Sequence, residues 1–257
     1  MSRLFSYLSA VSAAIMLTAC SQQQGGQTGD TSTTADSLTN VLENDSTVYG
    51  LACDGCTDTI LVFLPLTDVS SDPDTFNILN ASRNHKVFGR LKVGDKVAIV
   101  PNATNRKEAD FVINLQGLYG TWCYQVTPTL RQRVGMNSQT QTKMLNNLPD
   151  SIREQIMAPR EYGMQINGDY TMRSMGQHSS TQEEANSPVE YPKAKRYRQW
   201  HLYNGLLLFT AMGMDSLGNA YPIGTDTAEL VLMRRDSLVL RFKNEQPKGY
   251  YRKHTDE

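Results

Sequence analysis

The chain has little net charge of either sign. Its 25 lysines and arginines stand against 26 aspartates and glutamates, leaving −1 at pH 7. A balanced total gives no global field to draw in nucleic acid, so no nucleic-acid partner is expected. Histidine is scarce, at four: His85, His178, His201 and His254. No Gly-x-Ser-x-Gly elbow, phosphate-cradling glycine-rich loop or His-Glu-x-x-His occurs, so no local catalytic signature is present. The carboxylates are scattered through turns, and Glu183-Glu184, their densest pair, falls in a polar loop where solvation is its ordinary fate. The expectation is a protein that is not an enzyme and needs no cofactor. There is no internal repeat and no heptad. The opening apolar run, Leu4 to Leu17, is diluted by Ser6, Ser9 and Ser12. It falls short of the roughly 20 predominantly apolar residues that a membrane-spanning helix requires.

That run follows one basic residue, Arg3, in the layout of a secretory signal. Its end, Leu17-Thr18-Ala19-Cys20, resembles a lipobox, the recognition site of the bacterial lipoprotein-processing enzymes. The resemblance implies a signal peptide over residues 1–19, cleavage before Cys20, and acyl chains on the Cys20 sulfur. Several chains anchor far more firmly than one, at about 0.8 kcal/mol per buried methylene. Residues 20–45 are rich in Ser, Thr, Gln and Gly with almost no large apolar side chain, so they read as a disordered tether. Ser21 is not the aspartate that marks inner-membrane retention in enterobacteria, and the tether lacks the charged cluster of surface-exported lipoproteins. The expected place is the bacterial cell envelope, lipid-anchored, on the outer membrane facing the periplasm.

The body is punctuated like an all-β protein. In residues 46–116, Ile60 to Leu64 is a short apolar run, Thr75 to Leu79 and Lys86 to Leu91 are strand candidates, and Val97 to Val100 leaves a Val93-Gly94-Asp95-Lys96 turn and stops at Pro101. Phe111, Ile113 and Leu115 alternate with other residues. Five or so short strands with no intervening helical pattern predict a small barrel, OB-like or similar. Residues 117–254 form a second β region. Trp122, Tyr124 and Val126 share one strand face. A helix is predicted over Pro149 to Met157, with Leu148, Ile152 and Ile156 at helical spacing. Asn204-Gly205 marks a tight hairpin, and Leu238, Leu240 and Phe242 alternate strictly. Lys193, Lys195, Arg196 and Arg198 form a basic stretch whose simplest explanation is a solvated loop.

On these residues the second region resembles the lipocalin-like domains of Bacteroidetes lipoproteins. The matching pieces are Gly120-Thr121-Trp122, "YGMQINGDYTM", "RQWHLYNGLLLFT", and "TAELVLMRRDSLVLRF" followed by "GYYRK". The resemblance implies an antiparallel lipocalin-like barrel and gives Gly120 and Trp122 structural roles, with Trp122 closing one barrel end; the predicted short helix and the polar loop from Gln177 to Pro188 form an insertion that departs from its simple pattern. Such a barrel permits a small apolar ligand.

Cys53-Asp54-Gly55-Cys56 is the sharpest chemical feature. A thioredoxin-like motif would need a following helix, and haem attachment would need a histidine where Thr57 stands. A zinc site would need two more ligands, with only His85 nearby in sequence. A local disulfide in an oxidising compartment and a soft-metal site for Cu(I) stay open. The segment "YGLACDGCTDTILVFL" is also similar to the cysteine-pair segment of NlpE-type envelope lipoproteins, which implies copper handling or envelope-stress signalling. Cys123 is left to be buried, free or paired. The sequence thus points to a membrane-tethered β protein that binds a small apolar ligand or an envelope partner. Its alternative is a stress or copper lipoprotein that uses Cys53 and Cys56.

Overall fold

A computed structural model describes residues 43–131, 137–177 and 187–254. The expected signal peptide, Cys20, most of the expected tether, His178 and Glu183-Glu184 lie outside the described residues. The chain is mostly β. In its first part run β1 (Val48–Ala52), β2 (Ile60–Pro65), β3 (Asp74–Asn77), α1 (Leu79–Arg83), β4 (Val87–Phe88), β5 (Lys96–Pro101) and β6 (Ala109–Asn114). They form one sheet in the order β3-β2-β1-β5-β6-β4. The end of β3 reaches the start of β6 through a parallel bridge, Asn77 to Glu108. The two-residue β4 pairs in parallel with β6 further along. The sheet therefore curls into a small, partly open OB-like barrel.

Two predicted strands are cut short for local reasons. Thr75 to Leu79 stops at Asn77, whose side chain accepts the Leu79 N–H at 3.0 Å as α1 begins. The expected absence of helix in this half is corrected by α1. Lys86 to Leu91 shrinks to β4 because Gly89 turns the chain at φ +81°.

The inside of the small barrel holds Ala52, Leu61, Phe63, Phe76, Ile78, Val97, Ile99, Ala109 and Val112. Phe63 and Phe76 meet edge to face at 5.7 Å, a preferred aromatic geometry. A Cβ at Gly50 would stand 2.4 Å from the Phe63 ring, so glycine lets that ring pack close against β1.

The second part begins with α2 (Leu115–Leu118) and β7 (Gly120–Val126), then β8 (Thr129–Leu130), α3 (Ser138–Asn146) and α4 (Asp150–Met157). It continues through β9 (Arg160–Ile166), β10 (Met172–Met175), β11 (Val189–Glu190), β12 (Tyr197–Tyr203), β13 (Leu206–Met214), β14 (Ala220–Arg234), β15 (Ser237–Phe242) and β16 (Lys248–Lys253). Eight of these strands form an antiparallel sheet, β10-β9-β7-β16-β15-β14-β13-β12. Its two edges meet through the Thr171 to Gln199 bridge and through Trp200 N–H donating to Tyr170 O at 2.9 Å. The result is a nearly closed eight-stranded up-and-down antiparallel barrel. Asn204 and Gly205 both take positive φ, +48° and +80°, as the tight hairpin turn demands.

The inserted segment carries α3, α4 and the small β8–β11 pair. α4 matches the predicted helix, but Ile152 stays exposed and no α4 residue is buried. α3 had no apolar pattern to announce it; its cap is Asn137, whose side chain accepts the Thr140 N–H at 2.8 Å.

The two sheets share a wall. Val97, Ile99 and Val112 face the small barrel's interior, while Ala98, Phe111 and Ile113, at alternate positions on the same strands, join the cluster containing Trp122, Trp200 and Leu230. That is why β5 and β6 read as nearly continuous apolar runs: both of their faces are covered. Lys86 adds an ion pair to Glu229 on β14 at 2.8 Å.

Candidate functional site

Alternation sends Trp122, Tyr124 and Val126 of β7 inward, together with Tyr162, Met164 and Ile166 of β9 and Leu238, Leu240 and Phe242 of β15. The two barrel ends differ. At one end Trp122 is fully buried, and its indole N–H donates to Leu118 O on α2 at 2.8 Å. Arg252 from β16 stacks its guanidinium 4.2 Å from the Trp122 ring centroid. Its other contacts are hydrogen bonds to the carbonyls of Tyr119 at 2.8 Å, Gly117 at 2.5 Å and Arg235 at 2.6 Å. Gly120 sits at φ +128°, and a Cβ there would meet the Arg252 guanidinium at 2.6 Å. Trp122, Gly120 and Arg252 are thus packed together at this end of the barrel, its floor.

The opposite end opens into a cavity of about 330 Å³. Tyr124, Tyr197, Tyr250 and Phe242 line its apolar part. Tyr197 and Phe242 pack on Phe209, and Tyr124 meets Tyr250 edge to face at 5.2 Å. Charged groups stand around this aromatic wall. Lys248 places its ammonium 3.1 Å from the Tyr124 ring centroid. Burial pulls the Lys248 pKa down, against the pull of Glu245. Asp226 accepts from Lys195 at 2.6 Å and from the Tyr197 hydroxyl. Burial works to raise the Asp226 carboxyl, but the bonds from Lys195 and Tyr197 outweigh it and hold it below the ordinary aspartate range. Burial, then the Asp226 carboxylate, push the Tyr197 phenol well above its usual range. Burial does the same to Tyr250, with help from Tyr124.

Lys193, Lys195, Arg196 and Arg198 are exposed, in keeping with a solvated stretch, and Lys193 and Lys195 also line the mouth. Sequence reasoning missed the mouth as a unit. Its residues come from separate strands and from the loop before β12, and only the register of the ladder brings them together.

Cys53 and Cys56 lie in the β1–β2 connection of the small barrel. Cys53, Cys56 and Cys123 are all free thiols, so the expected local disulfide is not formed. The reason is local: the Cys56 sulfur turns to the backbone, 3.1 Å from Cys53 O and 3.4 Å from Val62 N. Cys123, on the outer face of β7, is fully buried. Among the described residues no group of three or more His, Cys, Asp or Glu side chains is placed to hold a metal ion. His85, the ligand considered nearest in sequence, is exposed after α1. His201 stacks on Tyr170 at 5.4 Å and 17°, and burial lowers its pKa.

No family model matches the chain, and no curated protein matches it. Among solved structures, a lipocalin-like protein from Bacteroides thetaiotaomicron is similar to it at 14% identity, over 53% of this chain and 97% of that one, with a TM-score of 0.27.

Proposed function

We propose that this chain is a lipid-anchored envelope protein that works by binding, with a small amphipathic molecule held in the open end of its lipocalin-like barrel. The observation that carries the reading is the asymmetry of the barrel. One end is sealed by Trp122 and Arg252, and the other opens into a cavity of about 330 Å³. Eight strands enclose a space that side chains fill or that one small ligand shares with them. The cavity is at the lower end of the range for small-molecule sites, with the expected aromatic lining and a few polar groups. A purely apolar occupant, the simplest expectation from the fold, would leave the Lys248 ammonium, half-buried over the Tyr124 ring, without an anionic partner from the ligand. A planar or acyl body against the tyrosines, with an anionic end toward Lys248, uses both halves of the lining.

The anchoring part of the reading is supported by the lipobox-like Leu17-Thr18-Ala19-Cys20 and the polar stretch after it. Ser21, in place of the aspartate that marks inner-membrane retention in enterobacteria, supports the proposal of outer-membrane attachment facing the periplasm.

Two measurements test these parts separately. Metabolic labelling with a radioactive fatty acid should mark the wild type and not Cys20→Ser; equal labelling sinks the anchor. For the barrel, anilinonaphthalene sulfonate, an aromatic anion, should bind saturably at one site and bind more weakly to Lys248→Gln. The barrel reading fails if the dye binding does not saturate or ignores the substitution, and if native mass spectrometry of protein from its own host finds no organic ligand.

A further inference from the structure

A second cavity, of about 780 Å³, lies at the sealed end of the large barrel, where the Gly89-to-Asp95 turn of the small barrel faces the β14–β15 hairpin. Arg90 and Lys92 stand on one wall, Arg234 and Arg235 on the other, and Arg252 on the floor. Of the carboxylates facing this space, Asp95 is engaged by the Asn114 amide at 2.5 Å, and Asp236, beside it, by His254 at 3.0 Å. Among the described residues, no ion pair or side-chain hydrogen bond engages Arg90, Lys92, Arg234 or Arg235. Other cations in this charge-balanced chain do find carboxylates, such as Lys86 with Glu229, Lys107 with Asp74 and Lys195 with Asp226.

The walls are held in place. Asn114 is buried, at 4% exposure; its amide donates to Arg90 O at 2.6 Å and to Asp95, while its oxygen accepts the Gly117 N–H at 3.3 Å. One side chain thus fixes the turn and α2 together. At Gly89 a Cβ would stand 2.8 Å from the Met233 methyl, so the turn lies directly against β14. Arg252 spends its donors on backbone carbonyls and contributes only fixed positive charge.

We infer that this cleft is a binding site for a phosphate-bearing anion, distinct from the barrel mouth. Four unpaired cations held around one space repel one another, and a bound anion relieves that repulsion. The guanidinium forks of Arg90, Arg234 and Arg235 suit phosphate oxygens in bidentate geometry, and Lys92 adds a point charge. The backbone of both walls stands in place before binding, so only the exposed Arg and Lys side chains are ordered when the anion arrives.

The test uses the full chain carrying Cys20→Ser, so that no acyl anchor contributes. Calorimetric titration with pyrophosphate is run beside co-sedimentation with phosphatidylglycerol and phosphatidylcholine vesicles. Arg234→Gln with Arg235→Gln, and separately Arg90→Gln with Lys92→Gln, should each weaken binding by about tenfold or more. Arg196→Gln with Arg198→Gln, an equal loss of charge elsewhere on the chain, should leave it unchanged. Pyrophosphate binding with this pattern supports the site and assigns it to a soluble phosphate. The same pattern only with phosphatidylglycerol vesicles supports it and assigns it to a lipid headgroup. Absence of both, or an equal loss in the control variant, overturns it.

Discussion

Trp122, on the first strand of the large barrel in chain order, and Arg252, on its last, meet ring to guanidinium at 4.2 Å, so a side-chain contact at the barrel floor reinforces the β7–β16 pairing. Arg252→Ala removes that stacking and leaves the carbonyls of Gly117, Tyr119 and Arg235 without their charged donor. Hydrogen bonds to charged groups contribute about 1.5–3 kcal/mol each, with partial recovery through water. The expected loss in urea unfolding is about 2–4 kcal/mol. Arg252→Lys should recover only part of it, since an ammonium cannot serve all three carbonyls in the plane of the ring. An unchanged unfolding midpoint for the alanine variant would show that the floor is held by other means.

Asp226 gives the barrel mouth a pH signature. Its folded carboxyl is held below the ordinary value of 3.8, because the bonds from Lys195 and Tyr197 outweigh burial. A depressed folded pKa contributes stability that is present above the unfolded value and disappears as pH falls through the folded one. Wild type should therefore be more stable than Asp226→Asn near neutrality, and the gap should close only as pH drops below 3.8. Paired denaturation curves across that window would measure it. A gap that stays constant to strongly acid pH would mean that the carboxylate charge is not what holds Tyr197 and Lys195.

The three thiols should separate by reactivity. Cys53 and Cys56 are half-buried, whereas Cys123 is fully buried, and its thiol pKa is raised by burial first and by Glu161 second. A raised pKa means less thiolate at a given pH, and the thiolate is the reactive form. In protein kept reduced, iodoacetamide should label Cys53 and Cys56 in the folded state, and Cys123 only after denaturant is added. Mass spectrometry of the peptides would report the order, and labelling of Cys123 as fast as the pair would contradict the burial described.

The fold was most legible where its signal is local. Leu238, Leu240 and Phe242 alternate because only one face of β15 meets the core, and Asn204-Gly205 marks a turn whose positive φ values few residue pairs accept. The N-terminal half of β14, Ala220 to Thr227, is largely exposed and carries Pro222 and Gly224, residues that argue against a strand, so its sequence does not announce one; pairing with β13 makes it one. The mouth was illegible for a related reason. Tyr124, Tyr197, Asp226 and Lys248 lie far apart in sequence, and no spacing rule joins residues on strands whose register is set by the whole barrel. Gly120 and Trp122 were visible as a motif, but Arg252 was not, since one arginine in "GYYRK" looks like any other until β16 pairs with β7.

Phe111 tests the wall that the two sheets share. It is 7% exposed, packs on Phe88 at 5.3 Å, and its ring lies 3.0 Å from where a Cβ on Gly205 would stand. Phe111→Ala should cost about 3–5 kcal/mol. The loss should be shared by probes in both halves, namely Trp200 fluorescence and hydrogen exchange at Val97 and Ile99. A loss confined to the small barrel would show that the cluster joining the halves contributes little.

That wall also limits how the chain can be cut or recombined. Ala98, Phe111 and Ile113 point out of the small barrel yet are buried. A fragment ending after β6 would present an oily stripe along two adjacent strands, a surface that invites self-association. Grafting either half onto another protein would call for polar replacements at those three positions, and each replacement would weaken the grip on the half left behind.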